Sequence, residues 1–529
     1  MEVNGTEGLE STANRQMARG AAVVMGAFVL SNLVGLVRQI LITRAFGTSA
    51  EIDAFYAAEK LPNILFTLVA GGALASAFIP NFTTLLEQGD RKGAWRLASG
   101  ILNLVTLALT LISVLGAIGA EWVVASILAP NFPIEQQLMT AELLRILLLT
   151  TVIFGASGLL MGILNAHQKF LMPALAPTMY WLGMIGGVLF LVPRWGIHGL
   201  AWGGVVGAGL HLLVQVPGLI RTPERAYTAT LGLRNEVVRK VGRLMGPRLL
   251  GVAVVQVNFL VNVIVASGLP NGSLTAITVA FQVMTMPQVV IAQAIAIAAL
   301  PTFSAQVAGG RLGEMRRSLA GTLRSIGLLA LPASAGLILL RTPITAMLFE
   351  RGEFDAGSTE MVAWALLWYS LGLVGHSVVE IVSRAFYALH NTKTPVAVGA
   401  GAMSLNVVLS FTLPGWFASM GWMPLGGLAL ANTLATTLEM FILAALIRKP
   451  LSGLEGRSLG AGAVQAGLGT AAMGAAVVFG VGSMINSPTW VQAVGGIAIG
   501  GMVYGVMMLA MRVPEVKALI EYGRKRLGR

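Results

Sequence analysis

The 529-residue chain contains no cysteine, and only 11% of its residues are charged. Without cysteine there is no disulfide framework, no thiol nucleophile, no Fe–S cluster and no cysteine-ligated zinc. Soluble domains carry about 25% charged residues, so this chain has roughly half the charge needed to cover a globule in water. That deficit excludes a soluble multidomain enzyme and a disordered protein. Aromatic residues are also few, at 7%. What is abundant is apolar: 56% of residues are hydrophobic and the mean hydropathy is +0.78. The formal net charge of +12 would suggest an acidic partner on a soluble protein. On a chain this apolar it records membrane orientation instead, and nucleic acid is not expected as a partner.

Catalytic constellations are missing too. The five histidines (His167, His198, His211, His376 and His390) show no metal-ligand spacing. No phosphate-binding glycine loop is present, nor an acidic pair of the kind used by metal-dependent lipid-phosphate transferases. The expectation is a transporter rather than an enzyme, with no cofactor and no metal.

A helix needs about 20 mostly apolar residues to cross the hydrocarbon core. Apolar runs between charge clusters and Pro/Gly/Asn turns fall at 20–46, 53–86, 97–118, 138–165, 171–193, 197–220, 247–268, 274–305, 319–340, 361–389, 394–414, 421–447, 460–484 and 490–511. The expected fold is therefore an all-α polytopic membrane protein with about fourteen transmembrane helices. The runs are long and lack apolar/polar alternation, which argues against a barrel. Residues 1–18 are polar and partly acidic, unlike a cleaved signal peptide, so the first run is expected to remain as a span.

Loop charge gives the orientation. With the N-terminus in the cytoplasm, 28 of the 35 Lys and Arg residues fall in cytoplasmic segments. Only Arg44, Arg194, Arg341 and Arg351 fall in outer loops. That asymmetry follows the positive-inside rule and places both termini in the cytoplasm. Three basic segments, 233–245, 312–326 and 513–529, combine apolar residues at helical spacing with Lys and Arg. In the first, Leu233, Val237, Val241 and Leu244 form the apolar row. These segments read either as contacts with anionic headgroups or as solvated linkers.

The chain repeats internally. LNAHQKFLMP at 164–173 and FYALHNTKTP at 386–395 set Pro173 and Pro395 222 residues apart, while Pro80 and Pro301, in similar motifs, are 221 apart. A near-constant offset suggests two pseudo-symmetric six-helix lobes plus two C-terminal helices. The implied boundaries are a cytoplasmic tail 1–18, an N-lobe 19–220, a basic cytoplasmic linker 221–246, a C-lobe 247–447, two extra spans in 448–511 and a basic tail 512–529. Even-numbered halves give parallel repeats, an arrangement in which transporters hold substrate between halves that rock for alternating access. Prolines and glycines inside spans, such as Pro62, Pro287 and Pro332, would supply bends or simply pack helices.

Ionisable groups at membrane depth are few and tend to face cavities. Arg38 lies near the middle of the first span, in a run without any acid. Asp53, Glu59 and Lys60 lie in the second, with Asp53 placed to cap that helix at its outer end and Lys60 placed to join Arg38 in a cationic cavity. Glu142 and Arg145 are three residues apart, and Glu380 and Arg384 four apart, so each pair is expected to neutralise itself on one helix face. Glu439 stands in the twelfth span. The candidate binding residues are Arg38, Lys60, Asp53, Glu59, Arg145 and Arg384.

These residues carry a family resemblance. The segment VLSNLVGLVRQILITRAFGTSAEIDAFYAAEKLPNILFTLVAGGALASAFIPNF (29–82) resembles the opening of the MurJ/MviN lipid II flippases of the MOP exporter superfamily. Segments 161–185, 299–310, 348–356 and 384–396 are similar to further family signatures, in the family's order. The resemblance implies fourteen spans, a central cationic cavity and alternating access. It also implies a cargo of undecaprenyl-pyrophosphate-linked peptidoglycan precursor, a location in the bacterial cytoplasmic (inner) membrane among its lipids, and the cell-wall synthesis machinery as a further partner. By the same resemblance the two extra spans shape a groove for the polyprenyl tail, and Arg38, Asp53 and Lys60 match the family's charged positions. Departures stand beside these matches. Asn32 replaces a frequent arginine, Gln39 an acid, Phe66 and Thr67 basic residues, and Phe281-Gln282 an Asp-Arg pair. Asn258 and Asn262 come without the carboxylate that a sodium site would need. An exporter of another lipid-linked oligosaccharide or of amphiphilic drugs stays open as an alternative, as do a membrane enzyme and a transport-dead scaffold.

Alkaline phosphatase, which folds only outside the cytoplasm, tests the orientation. A fusion after Arg351 is expected to be active and one after Lys449 inactive; the opposite pattern overturns the assignment.

Overall fold

Backbone polar groups have no water to bond in a bilayer, so a spanning segment must satisfy them internally. The computed structural model describes residues 3–68, 75–222 and 225–516, and among these it is helical without strands. Residues 1–271 and 272–529 form two compact units.

In the first unit the helices are α1 (Val3–Phe46), α2 (Ala50–Phe66), α3 (Ala75–Glu87), α4 (Arg91–Ile118), α5 (Ala120–Val123), α6 (Ile134–Ala166), α7 (Leu171–Gly186), α8 (Val192–Leu213), α9 (Val216–Ile220) and α10 (Glu236–Ala266). In the second they are α11 (Ser273–Gln288), α12 (Ala294–Ala308), α13 (Leu312–Leu339), α14 (Arg341–Phe349), α15 (Ala356–Leu371), α16 (Leu373–Ala388), α17 (Lys393–Ser419), α18 (Leu425–Leu446), α19 (Gly456–Ser483) and α20 (Thr489–Ala510). Side-chain caps start several of them. Asp90 accepts from Gly93 N at 2.8 Å, Asn235 from Val237 N at 2.9 Å, and Asp355 from Ser358 N at 2.7 Å.

Ten helices among the described residues are long and apolar enough to cross a membrane, or eleven when α15 and α16, bent by 44°, count as one span. The difference from the expected fourteen has identifiable sources. Leu171–Ile220 counts as one candidate span of 50 residues, about 75 Å at 1.5 Å per residue, more than twice the ~30 Å hydrocarbon core. It contains two of the expected spans, and the backbone breaks between them at Gly196, whose φ of 53° and ψ of −135° are not helical. The second expected span runs into residues 69–74, outside the described residues. In the seventh, only Gln256–Ala266 qualifies, as a shorter apolar helix.

The repeat appears in the backbone. Gln168 and His390, 222 residues apart, both adopt left-handed φ, at 56° and 57°. Around them Lys169 N donates to Leu164 O and Asn391 N to Phe386 O, each at 2.9 Å, the same helix-ending bond at the same offset. Wide π-helical turns begin at Thr67 and at Val289, again 222 apart.

The two units divide at Asn271/Gly272, beyond the basic segment 221–246. The reason is α10, which packs on α2, α3 and α4 of the first unit. Its apolar row is also shifted: Val238 and Val241 are buried, whereas Leu233 and Leu244 are exposed. The segment 312–326 similarly opens α13 and buries Met315, Leu319, Leu323 and Ile326 in the second unit's core. The second row is thus packed into a core, whereas the first is divided between buried Val241 and exposed Leu233 and Leu244. Of 513–529, Val513 is buried and residues 517–529 lie outside the described residues.

In the second unit, α19 and α20 are tied to α13. Arg324 Nε lies 2.9 Å from Glu515, Arg316 Nε 3.2 Å from Glu455, and the Tyr504 hydroxyl donates to Leu328 O at 2.6 Å.

Close packing of α7 on α8 fixes the helix that matters most below. A Cβ on Gly183 would stand 2.2 Å from Gly207 Cα, and one on Gly187 2.5 Å from Gly203 Cα. Two small residues four apart on each helix let the backbones touch, the usual device where lipid offers no hydrophobic drive between helices. Gly207→Val is expected to force α7 away from α8 and to destabilise by about 1–3 kcal/mol, read as a lower unfolding temperature in detergent. An unchanged unfolding temperature contradicts this packing account.

Candidate functional site

An arginine inside a bilayer needs either a counter-charge or other compensation. Arg38, on α1, is 9% exposed. Its guanidinium carbon stands 4.2 Å from the ring centroid of Trp181 on α7. Nη2 donates to Gln39 Oε1 at 3.1 Å, and Nη1 approaches Met184 Sδ at 3.8 Å. The Nε–H has no hydrogen-bond partner among the described residues. Gln39, fully buried, passes the contact on, donating from Nε2 to the Tyr56 hydroxyl of α2 at 2.7 Å.

The choice of glutamine has a consequence. A carboxylate at this position would neutralise the guanidinium, whereas an amide accepts its hydrogen bond and leaves the charge in place. Indole supplies the rest of the support, since a cation over tryptophan gains about 2 kcal/mol when desolvated.

Lys60 stands one helical turn beyond Tyr56 on α2, and its Nζ lies 4.5 Å from the Phe259 ring centroid of α10. Neither Arg38 nor Lys60 makes a salt bridge among the described residues. Glu59 accepts from the Tyr180 hydroxyl at 3.3 Å, and Tyr180 and Trp181 are adjacent, with ring centroids 4.8 Å apart. Residues of α1, α2, α7 and α10 thus form one patch with two cations, each carried on an aromatic face.

The remaining candidates are Asp53, three residues before Tyr56 on α2, and Arg145 and Arg384, which lie apart from the patch. Asp53 is buried in the first turn of α2, where Ser49 holds the N-cap position and makes no side-chain cap bond of its own. Arg145 does not pair with Glu142. It reaches Glu121 at 2.8 Å and the Ala117 carbonyl at 3.1 Å, while Glu142 bonds His198 of α8 at 3.0 Å. Spacing on α6 allowed the local pair, but partners on neighbouring helices took both ends. Arg384 and Glu380 do pair along α16, at 2.7 Å.

Four contributors escaped sequence reasoning: Trp181, Tyr180, Tyr56 and Phe259. Trp181 lies 143 residues from Arg38, and a one-dimensional pattern contains no signal for that contact. A second buried polar cluster was missed as well. Ser157 Oγ and His211 Nδ1 are 2.6 Å apart, and Gln215 Nε2 donates to Ser157 Oγ at 2.7 Å. The edges of Phe66 and Phe154 close over the imidazole. No group of three metal-ligating side chains occurs among the described residues.

Comparison with known proteins follows the same line. The family model described as Lipid II flippase MurJ matches residues 42–494. Lipid II flippase MurJ of Burkholderia cenocepacia is 33% identical over 399 residues, 74% of this chain and 77% of that protein. The probable lipid II flippase MurJ of Vibrio cholerae serotype O1 is 30% identical over 449 residues, 82% of this chain and 83% of that one. Among solved structures, an inward closed conformation of lipid II flippase MurJ superposes with a TM-score of 0.80 at 22% identity, covering 93% of this chain and 99% of that one. An inward-facing multidrug resistance MATE transporter of the MOP superfamily has the same fold at a TM-score of 0.67 and 16% identity, covering 82% and 98%. The chain belongs to the lipid II flippase MurJ family.

Proposed function

We propose that this protein carries lipid II, an undecaprenyl-pyrophosphate-linked disaccharide-pentapeptide, from the inner to the outer leaflet of the bacterial cytoplasmic membrane by alternating access. The observation that carries this reading is the buried Arg38 guanidinium, held by an indole and an amide rather than an acid. Guanidinium offers five N–H donors in a planar fork and binds phosphate oxygens bidentately. A pyrophosphate supplies the negative charge that the protein withholds. Lys60 adds a compact positive charge for the second phosphate. The Tyr180 hydroxyl holds the Glu59 carboxylate, which keeps that acid engaged beside Lys60. Arg145 and Arg384 each have an acid of their own, so the reading rests on Arg38 and Lys60.

The tail has a place to go. A cleft of about 460 Å³ among α13, α14, α19 and α20 is lined by Leu329, Pro332, Met473, Val477, Ile497 and Tyr504. Its near-wholly apolar wall suits an isoprenoid chain.

Complementation of a bacterium depleted of its own flippase tests the proposal. The wild-type chain is expected to restore growth, and Arg38→Ala to abolish it while the protein still accumulates. Trp181→Ala is expected to lower lipid II appearance in the outer leaflet about 30-fold, the equivalent of ~2 kcal/mol of lost cation–π support, with Trp181→Phe intermediate. The double variant Glu380→Ala/Arg384→Ala is expected to grow. Failure of the wild-type chain overturns the cargo, and full growth of Arg38→Ala overturns the site.

A further inference from the structure

A second apolar cleft, of about 240 Å³, lies in the first unit beneath the segment that follows α9. Trp95 and Leu102 of α4, Ile163 of α6 and Leu219 of α9 line it, and Arg225 and Tyr227 stand at its edge. An apolar cavity of about 150 Å³ already takes benzene, so this cleft has room for a length of hydrocarbon chain.

Its rim is built, not loose. The Tyr227 hydroxyl donates to Asn103 Oδ1 at 2.9 Å, and Asn103 Nδ2 donates to the Thr230 carbonyl at 2.8 Å. Thr228 N donates to Ser99 Oγ at 3.1 Å, and Ser99 Oγ in turn donates to Trp95 O at 2.8 Å. The segment is bolted across α4, and these bonds occupy the polar groups of the wall. Arg225 is different. It is exposed, and among the described residues its guanidinium makes one hydrogen bond, to the Ile220 carbonyl. Its guanidinium carries five N–H donors and belongs to the lining of the apolar slot.

Charge around the mouth has one dominant sign. Residues 221–243 hold Arg221, Arg225, Arg234, Arg239, Lys240 and Arg243 against Glu224 and Glu236. Because Val238 and Val241 are buried, Arg234, Arg239, Lys240 and Arg243 are left exposed. Lys92 and Arg96 of α4 are exposed as well, with Glu87 and Asp90 as the acids on that side.

An apolar slot with an exposed guanidinium in its lining and a basic surround fits one class of occupant. We propose that the cleft binds an anionic phospholipid of the surrounding leaflet, one acyl chain lying in the slot and the phosphate resting on Arg225. This site is distinct from the Arg38 patch and does not depend on what the protein transports.

Native mass spectrometry of the full chain in detergent tests it, with dioleoylphosphatidylglycerol and dioleoylphosphatidylcholine as probes. The first bound lipid is expected to be phosphatidylglycerol in clear preference. Arg225→Gln should weaken that lipid about fivefold, the effect of one basic side chain near an anionic headgroup, and leave phosphatidylcholine unchanged. Leu102→Trp, which fills the slot, should weaken both. Equal affinity of the wild type for the two lipids overturns the proposal, as does an unchanged phosphatidylglycerol affinity in either variant. Displacement of phosphatidylglycerol by more tightly bound undecaprenyl pyrophosphate overturns it too, by assigning the cleft to the cargo.

Discussion

A positive charge kept in the membrane without its neutralising acid sets the terms for the first unit. Isolated charges at bilayer depth are expensive, and the usual remedy is an ion pair. Here the remedy is partial: an indole face and an amide oxygen hold the guanidinium of Arg38, and both leave its charge intact. That solution demands accurate placement, because a cation–π contact works only with the ion over the ring. Placement comes from α7, which carries Trp181 and packs against both α1 and α8. The glycine contacts between α7 and α8 permit no side chain between their backbones, so the ring cannot drift from the charge. Helix packing and the placement of the charge are in this sense one design.

The sequence made the cations legible and left their setting obscure. Arg38 stood out because its run of apolar residues contains no acid, which is a one-dimensional fact. Gln39 also stood out, as an amide where the family often has an acid, but its role emerged only with the Tyr56 and Arg38 contacts on either side of it. Trp181 and Phe259 are far from their cations along the chain, and an aromatic residue in an apolar run has no distinguishing context. Arg145 shows the opposite failure. Its spacing from Glu142 satisfied the rule for a helix taken alone, yet α6 is packed among α4, α5 and α8, and acid and imidazole partners there took both residues.

Helix existence was likewise more legible than helix continuity. Hydropathy located the apolar runs, but it carries no information on whether the chain turns or continues between them. Gly196 interrupts one 50-residue run with a single non-helical residue, too little to register in composition. The repeat, by contrast, survived from letters to geometry. Gln168 and His390 have different side chains, yet each sits in a left-handed corner closed by the same backbone bond. Backbone demand is what the two segments share, and that is why the resemblance between their sequences is visible at all.

The position of α10 has a mechanical consequence. With that helix packed on the first unit, the covalent link to the second is not the long basic segment 221–246 but the turn 267–272. Six residues reach about 20 Å at full extension, and the glycine that ends the turn, with φ at 86°, spends part of that reach on a change of direction. A turn of six residues keeps the end of α10 and the start of α11 within that reach of each other.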